Sequence, residues 1–146
     1  MRIYLDTCTI QRPADSSQEA RVRLEAAAVI ELLNLLIAGD LELNSSAALQ
    51  LEHRRNRHFL RRAFTEWVLS LATEIVAIDA AVAERSAEYQ RAGLKPLDAA
   101  HLACAVHAGA DVVCTCDDRF LRRARRIDTG LTRVVTPLEL IQEVKP

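Results

Sequence analysis

PLDAAHLACAVHAGADVVCTCDDRF, residues 96–120, is the stretch on which the reading of this chain turns. Pro96 suits the first turn of a helix, where its missing N–H costs nothing, and Gly109, just past the last apolar position, is a helix stop. Val112–Thr115 then reads as a short strand, followed by an acidic turn. Asp98 falls in the first helical turn, where the helix dipole favours a carboxylate. Asp117 falls just past the C-terminal end of the strand, on the rim where ligand sites form in open parallel α/β sheets. Two carboxylates from different elements are thus directed to one place.

Working outward, strands and helices alternate. Met1–Leu5 is an apolar strand ending in Asp6-Thr7, and Thr9–Ser17, with Pro13, Asp15, Ser16 and Ser17, reads as a loop that offers an N-cap to the next helix. Gln18–Ala38 carries apolar residues at helical spacing, Leu24, Ala28, Leu32 and Ile37 among them, until Gly39-Asp40 stops it. Leu41–Asn44 is a second strand, and Ser45 or Ser46 caps a helix that carries Glu52. Phe59–Ala72 is expected as an amphipathic helix with Phe64, Trp67, Val68 and Leu71 inward, and Glu74–Ile78 as a third strand. Asp79 caps a helix to about Ala92. Beyond residue 120 come a short basic helix, Leu121–Arg126, a strand, Thr132–Val135, and a closing helix, Pro137–Val144. This alternation implies a parallel α/β sheet with right-handed crossovers. On that topology the ends of the strands at Leu5 and Thr115 share a rim, where Asp6 and Asp117 meet Asp98. No repeat or linker divides the chain, so residues 1–146 are expected to form a single domain.

Half of the residues are hydrophobic and 27% charged, the balance of a globular protein rather than a disordered one. No apolar run reaches the roughly 18–20 residues that span a membrane. Met1-Arg2 leads directly into the first strand, so we expect no signal peptide, a cytoplasmic location and four reduced cysteines, Cys8, Cys104, Cys114 and Cys116. The net charge of −1 argues for nothing by itself. Its distribution says more: Arg54, Arg55, Arg57, Arg61 and Arg62 cluster in one segment, and Arg119, Arg122, Arg123, Arg125 and Arg126 in another. Genome base composition accounts equally well for a preference for Arg over Lys, but clustering is the usual footprint of a nucleic-acid binder.

Asp6, Glu52, Asp98 and Asp117 are the candidate catalytic and metal-binding residues. Each alone has an ordinary account: a first-turn charge for Asp98, a helix cap for Asp117, a solvated residue near Arg55 for Glu52. Asp6 is the hardest to dismiss, because it ends a fully apolar strand where any turn residue would do. Together they form a cluster of like charges that a divalent cation would stabilise, and oxygen-only ligands favour Mg²⁺ or Mn²⁺. Such an ion lowers the pKa of a water and neutralises charge developing on a phosphate oxygen. Thr7 and Thr115 flank this set and are candidate supporting residues.

The order LDT (5–7), S-x-A-L-x-x-E (46–52), PLDAAHLA (96–103) and T-x-D-x-x-F (115–120) resembles the PIN-domain family, and within it the VapC-like toxins of bacterial toxin–antitoxin pairs. The resemblance spans Met1 to about Val144. It implies a three-layer α/β/α sandwich with a mainly parallel central sheet and a Mg²⁺- or Mn²⁺-dependent ribonuclease whose acidic set is Asp6, Glu52, Asp98 and Asp117. Many members carry a further acid where this chain has Arg119, and Asp118 is the candidate substitute. A homodimer and a small antitoxin protein that blocks the site are further implications. Arg12, Arg54, Arg55, Arg119 and Arg122 are the candidate contacts to the RNA backbone.

Other signals are weaker. Cys114 and Cys116 with Cys8 and His101 do not have zinc-site spacing. His101 lies three residues after Asp98 on the same helical face, where it reads as a core residue or as one that orients a carboxylate, rather than as a ligand. No nucleotide phosphate loop exists. Two rivals to the nuclease remain: a catalytically impaired PIN-fold module that binds RNA or protein, and a phospho-acceptor domain. The second, which includes a phosphatase of similar topology, is disfavoured because the first strand ends Asp-Thr-Cys and lacks a paired Asp-x-Asp.

Overall fold

The first strand, β1 (Arg2–Leu5), sits at the centre of the sheet, and its Ile3, Tyr4 and Leu5 are fully buried. A strand covered on both faces has no polar side to alternate with, which explains its continuous apolar run. The computed structural model describes residues 1–145; Pro146, the last residue of the expected domain, lies outside the described residues. From β1 the chain passes through helix α1 (Thr7–Ile10), a 3₁₀ turn (Arg12–Ala14) and helix α2 (Ala20–Ala38) to β2 (Glu42–Ser46). Helices α3 (Ala47–Arg55) and α4 (Phe59–Ser70) lead to β3 (Glu74–Val76), then α5 (Ala80–Arg91) and α6 (Pro96–His107) to β4 (Val112–Cys114). Helix α7 (Asp118–Ala124), β5 (Arg133–Val135) and α8 (Pro137–Val144) complete the described chain.

All the pairings are parallel and the strand order is β3-β2-β1-β4-β5. The chain therefore builds one half of the sheet outward from β1 and then returns to build the other half from β4. Helix α6, packed against β2, β3 and β4 with α5 and α3 beside it, makes one covering layer, and α2 packs against α8. The result is the expected α/β/α sandwich, with a wholly parallel sheet. Helix α6 is apolar nearly all round, with Ala99, Leu102, Ala103, Cys104 and Ala105 fully buried. Small residues let it lie close to the sheet, and solvent reaches it mainly at its two ends, at Leu97 and Asp98 in the first turn and at Val106 and His107 in the last.

Three expectations need correction. The stretch after Asp6 is a helical turn and a 3₁₀ turn rather than a plain loop, because Asp6 itself caps α1; four residues are too few to show a period. Helix α2 starts at Ala20 after Glu19, with no side-chain cap, so the N-cap expected within Thr9–Ser17 is not used. Trp67 does not face inward: it is 44% exposed, with its ring 5.8 Å from that of Phe64. Val68 is buried as expected, and the other fully buried residue of this helix is Thr65. At the other end of α2, Gly39 adopts a φ of +82°, a left-handed C-terminal stop available to glycine without strain.

Candidate active site

Strand order reverses between β1 and β4, and the crevice beyond their C-terminal ends is where a doubly wound sheet leaves room for a ligand. Asp6 follows β1 and Asp117 lies three residues beyond β4. The two strand ends are joined by the Asp6 N–H, which donates to the Cys114 carbonyl at 3.3 Å, and by the Thr9 hydroxyl, which donates to the same carbonyl at 3.1 Å. A pocket of about 110 Å³ opens there, lined by Asp6, Thr7, Cys8, Glu52, Asp98, His101 and Asp117. All four expected acids thus meet, although they come from four elements and span more than a hundred residues of sequence.

Each acid is held in its own way. Asp6 is buried at 5% exposure, and its Oδ1 accepts from the Thr9 N–H at 3.0 Å and from the Cys8 thiol at 3.1 Å. Asp117 is exposed, and its Oδ1 caps α7 by accepting from the N–H groups of Arg119 (2.8 Å) and Phe120 (3.1 Å). Its own N–H donates to the Thr115 hydroxyl at 3.0 Å. Glu52 is half-buried, and its Oε2 accepts from the Thr7 hydroxyl at 2.6 Å and pairs with His101 Nε2 at 2.8 Å. In all three, the fold uses one carboxylate oxygen and leaves the other without a protein partner among the described residues. Asp98, half-buried at the start of α6, has no hydrogen-bond partner there at all.

The electrostatics follow from this. Burial, the charge of Asp117 and, less strongly, that of Asp6 push the Asp98 carboxyl above the usual range. Burial also acts to raise Glu52, but the hydrogen bonds from His101 and Thr7 outweigh it and hold that carboxyl below its ordinary value. The Asp98 side of the pocket therefore carries negative charge that the protein does not neutralise. Among the described residues, no three His, Cys, Asp or Glu groups are already drawn together into a cation cage. The donor set still suits a hydrated hard cation: Mg²⁺ keeps several of its waters and takes only one or two carboxylates directly. Five carboxylate oxygens without a protein partner among the described residues, one each on Asp6, Glu52 and Asp117 and two on Asp98, line a volume of about three or four waters and fit such an ion.

Other expected residues are placed differently. Asp118 is turned to Arg21 in a two-pronged ion pair at 2.6 and 2.7 Å, which holds it below the usual carboxylate range and away from the pocket lining. Arg12 is taken up by Asp15 at 3.2 Å and by the buried Glu25 at 3.0 Å. Arg54, Arg55, Arg119 and Arg122 are exposed and in no ion pair among the described residues. Two features escaped the sequence reading. Glu25 sits on α2 at 2% exposure between Arg12 and Arg21, tying α2 to the turn after Asp6. Tyr4 looks like any strand residue, yet its hydroxyl lies 2.7 Å from His101 Nδ1 and 2.6 Å from the Ser46 hydroxyl. A larger concavity, about 560 Å³ between α7, β5 and α8, is bounded by the ion pairs Arg125–Glu139 and Arg133–Glu143, which satisfy its charges.

Residues 3–126 match the family model described as PIN domain. A comparison with curated proteins gave no match. Among solved structures, the chain is similar to the crystal structure of FitAcB from Neisseria gonorrhoeae (21% identity, 93% of this chain and 98% of that one, TM-score 0.61). It is also similar to VapBC2 from Rickettsia felis bound to a fragment of its promoter DNA (14%, 92% and 98%, 0.60). DNA-bound VapBC from Salmonella typhimurium gives corresponding values of 19%, 94% and 98%, and 0.62. At these identities the likeness establishes the shared fold.

Proposed function

This chain belongs to the PIN-domain family, and from that membership we propose that it is a divalent-metal-dependent endoribonuclease, acting as a single domain over residues 1–146. The observation that carries the reading is the convergence of Asp6, Glu52, Asp98 and Asp117 on one small pocket at the sheet's switch point. Asp6, Asp98 and Asp117 would hold Mg²⁺ or Mn²⁺ through their unused oxygens, with Glu52 completing the set. When bound, the ion makes a water more acidic and neutralises charge on a phosphate oxygen.

The chain's own groups supply the rest. A volume of about 110 Å³ admits an ion and water but not a nucleotide. The RNA backbone therefore lies across the mouth, with its phosphate presented to the pocket. We assign the neighbouring phosphates to Arg54, Arg55, Arg119 and Arg122, which are exposed and in no ion pair among the described residues. A carboxylate oxygen of the set takes the proton of the attacking water as the new oxygen–phosphorus bond forms; the opposite phosphorus–oxygen bond breaks, and the leaving ribose oxygen departs with the bonding pair and takes a proton from solvent. No covalent enzyme intermediate is invoked, because the hydroxyl and thiol that line the pocket are both engaged, Thr7 with Glu52 and Cys8 with Asp6.

The VapC-like sequence motifs, and the VapBC and FitAcB complexes among its structural neighbours, support a toxin restrained by a small antitoxin protein, working as a homodimer in the cytoplasm. No described helix is long and apolar enough to cross a membrane. A second reading, a PIN-fold module that binds RNA or protein without cutting, is favoured by one observation: among the described residues, no three His, Cys, Asp or Glu donors are already drawn together into a cage.

Incubating purified protein with a mixed RNA pool in Mg²⁺, Mn²⁺ or EDTA, beside Asp98→Asn, separates the two. The nuclease reading expects metal-dependent cutting that falls at least about a hundredfold in the variant, the loss seen when a group stabilising transition-state charge is removed. RNA left intact by folded wild type in both metals would overturn it in favour of the binding module.

A further inference from the structure

We propose that His101 is a positioning residue: braced from the core by Tyr4 and Ser46, it holds Glu52 in the one orientation that leaves Oε1 available to the acidic pocket. The inference rests on the proposed metal-dependent nuclease for its Mn²⁺ and kinetic arms, while its tautomer arm is independent of that reading. His101 is 3% exposed, so it does not itself meet a substrate. Both of its ring nitrogens are engaged, Nε2 with Glu52 at 2.8 Å and Nδ1 with the Tyr4 hydroxyl at 2.7 Å.

Donor and acceptor accounting gives the chain a direction. A carboxylate only accepts, so His101 must donate from Nε2 to Glu52. The Ser46 oxygen already accepts from the Leu49 N–H at 3.1 Å, which frees its own hydrogen for the Tyr4 oxygen 2.6 Å away. Tyr4 then donates to His101 Nδ1. Every group in the series Leu49, Ser46, Tyr4, His101, Glu52 is satisfied by the Nε2–H tautomer, and the Thr7 hydroxyl closes it from the other side at 2.6 Å. Both bonds to Glu52 fall on Oε2.

The arrangement also has a structural logic. Ser46 caps α3, the helix that carries Glu52, while Tyr4 lies on β1 and His101 on α6. The network therefore sets the distance between the helix bearing Glu52 and the two elements bearing Asp6 and Asp98. Glutamate is a flexible side chain, and a carboxylate that must meet a ligand is more effective when its rotamer is held by packing and hydrogen bonds.

The test uses the full chain with His101→Leu, His101→Gln and Tyr4→Phe. Glutamine can donate from a nitrogen near the place of Nε2; leucine cannot. Mn²⁺ alone is titrated by calorimetry, and cleavage is followed over RNA concentration. The expected result for His101→Leu is a loss of about 10- to 100-fold in Mn²⁺ affinity and in kcat, with KM for RNA unchanged. His101→Gln recovers most of it, and Tyr4→Phe falls between. Long-range ¹⁵N–¹H NMR of the metal-free protein is expected to read the Nε2–H tautomer, independently of metal and activity. An Nδ1–H tautomer, equal Mn²⁺ affinity in wild type and His101→Leu, or equal losses in the leucine and glutamine variants would overturn the proposal. Wild type that binds Mn²⁺ through the His101-dependent site yet leaves RNA intact would support the positioning role and overturn the nuclease reading.

Discussion

Asp98 shows how one residue can be unfavourable for the fold and still belong to the lining of the acidic pocket. It is half-buried, has no hydrogen-bond partner among the described residues, and lies close enough to Asp117 and Asp6 to feel both charges. Its folded pKa lies above the unfolded value, so between the two the folded state binds more protons than the unfolded state. Stability of the metal-free protein is then lost as pH rises through that window, from the ordinary aspartate value near 4 upward. Asp98→Asn removes the penalty. The variant is expected to melt above metal-free wild type at neutral pH, with the difference fading as pH approaches about 4, where wild type is also uncharged. Thermal denaturation in EDTA across pH reads this directly, and a variant melting below wild type at pH 7 would contradict it. The sequence placed Asp98 in a first helical turn but could not give this strain, because the other charges come from distant segments.

At the scale of elements, side-chain caps start several helices, and these were legible in part. Ser46, Asp79, Asp117 and Thr136 cap α3, α5, α7 and α8. Thr136 forms a full capping box, accepting from the Glu139 N–H at 3.1 Å while Glu139 accepts from the Thr136 N–H at 2.7 Å. Burial, though slight, acts to raise Glu139, but the Thr136 N–H and Arg125 bring it below the usual glutamate range. Thr136→Ala is expected to cost about 1 kcal/mol, or about 3 °C in melting temperature for a chain of this size. The Glu139 contribution is full above the unfolded glutamate pKa and is lost as pH falls through the lower folded value. Urea titrations of wild type and Glu139→Gln should therefore converge in acid; a gap that persists well below pH 3 would contradict the assignment. Where elements were missed, as at α1, the signal was too short: Asp6 caps a single turn of four residues.

For the whole molecule, the acids belong to four elements held together by one sheet and its covering helices. An unfolded chain has no such site, so an ion bound there stabilises only the folded form. Mn²⁺ at about a hundred times its Kd is expected to add about 2.7 kcal/mol of stability, and to raise the melting temperature by about 5–10 °C. The shift should vanish in Asp98→Asn. An equal shift in both proteins, measured by scanning calorimetry, would place the ion elsewhere.

What the sequence by itself determined was the local chemistry: which segments are strands or helices, that Asp98 opens a helix, and that Asp6 and Asp117 follow strands. These depend on periodicity, caps and stops within a few residues, and the PIN-like motifs lie on the same short stretches. The strand order β3-β2-β1-β4-β5 was decided by packing between segments far apart in sequence, and it is this order that sets Asp6 beside Asp117. The partners of the charged groups were decided in the same way. Nothing near Asp118 or Arg12 in the chain announces Arg21 or Glu25. Nor does an apolar strand announce that the hydroxyl of Tyr4 will brace a histidine ninety-seven residues away. Hydrogen bonds and ion pairs are set by distance in space, which becomes defined only once the sheet has closed around its core.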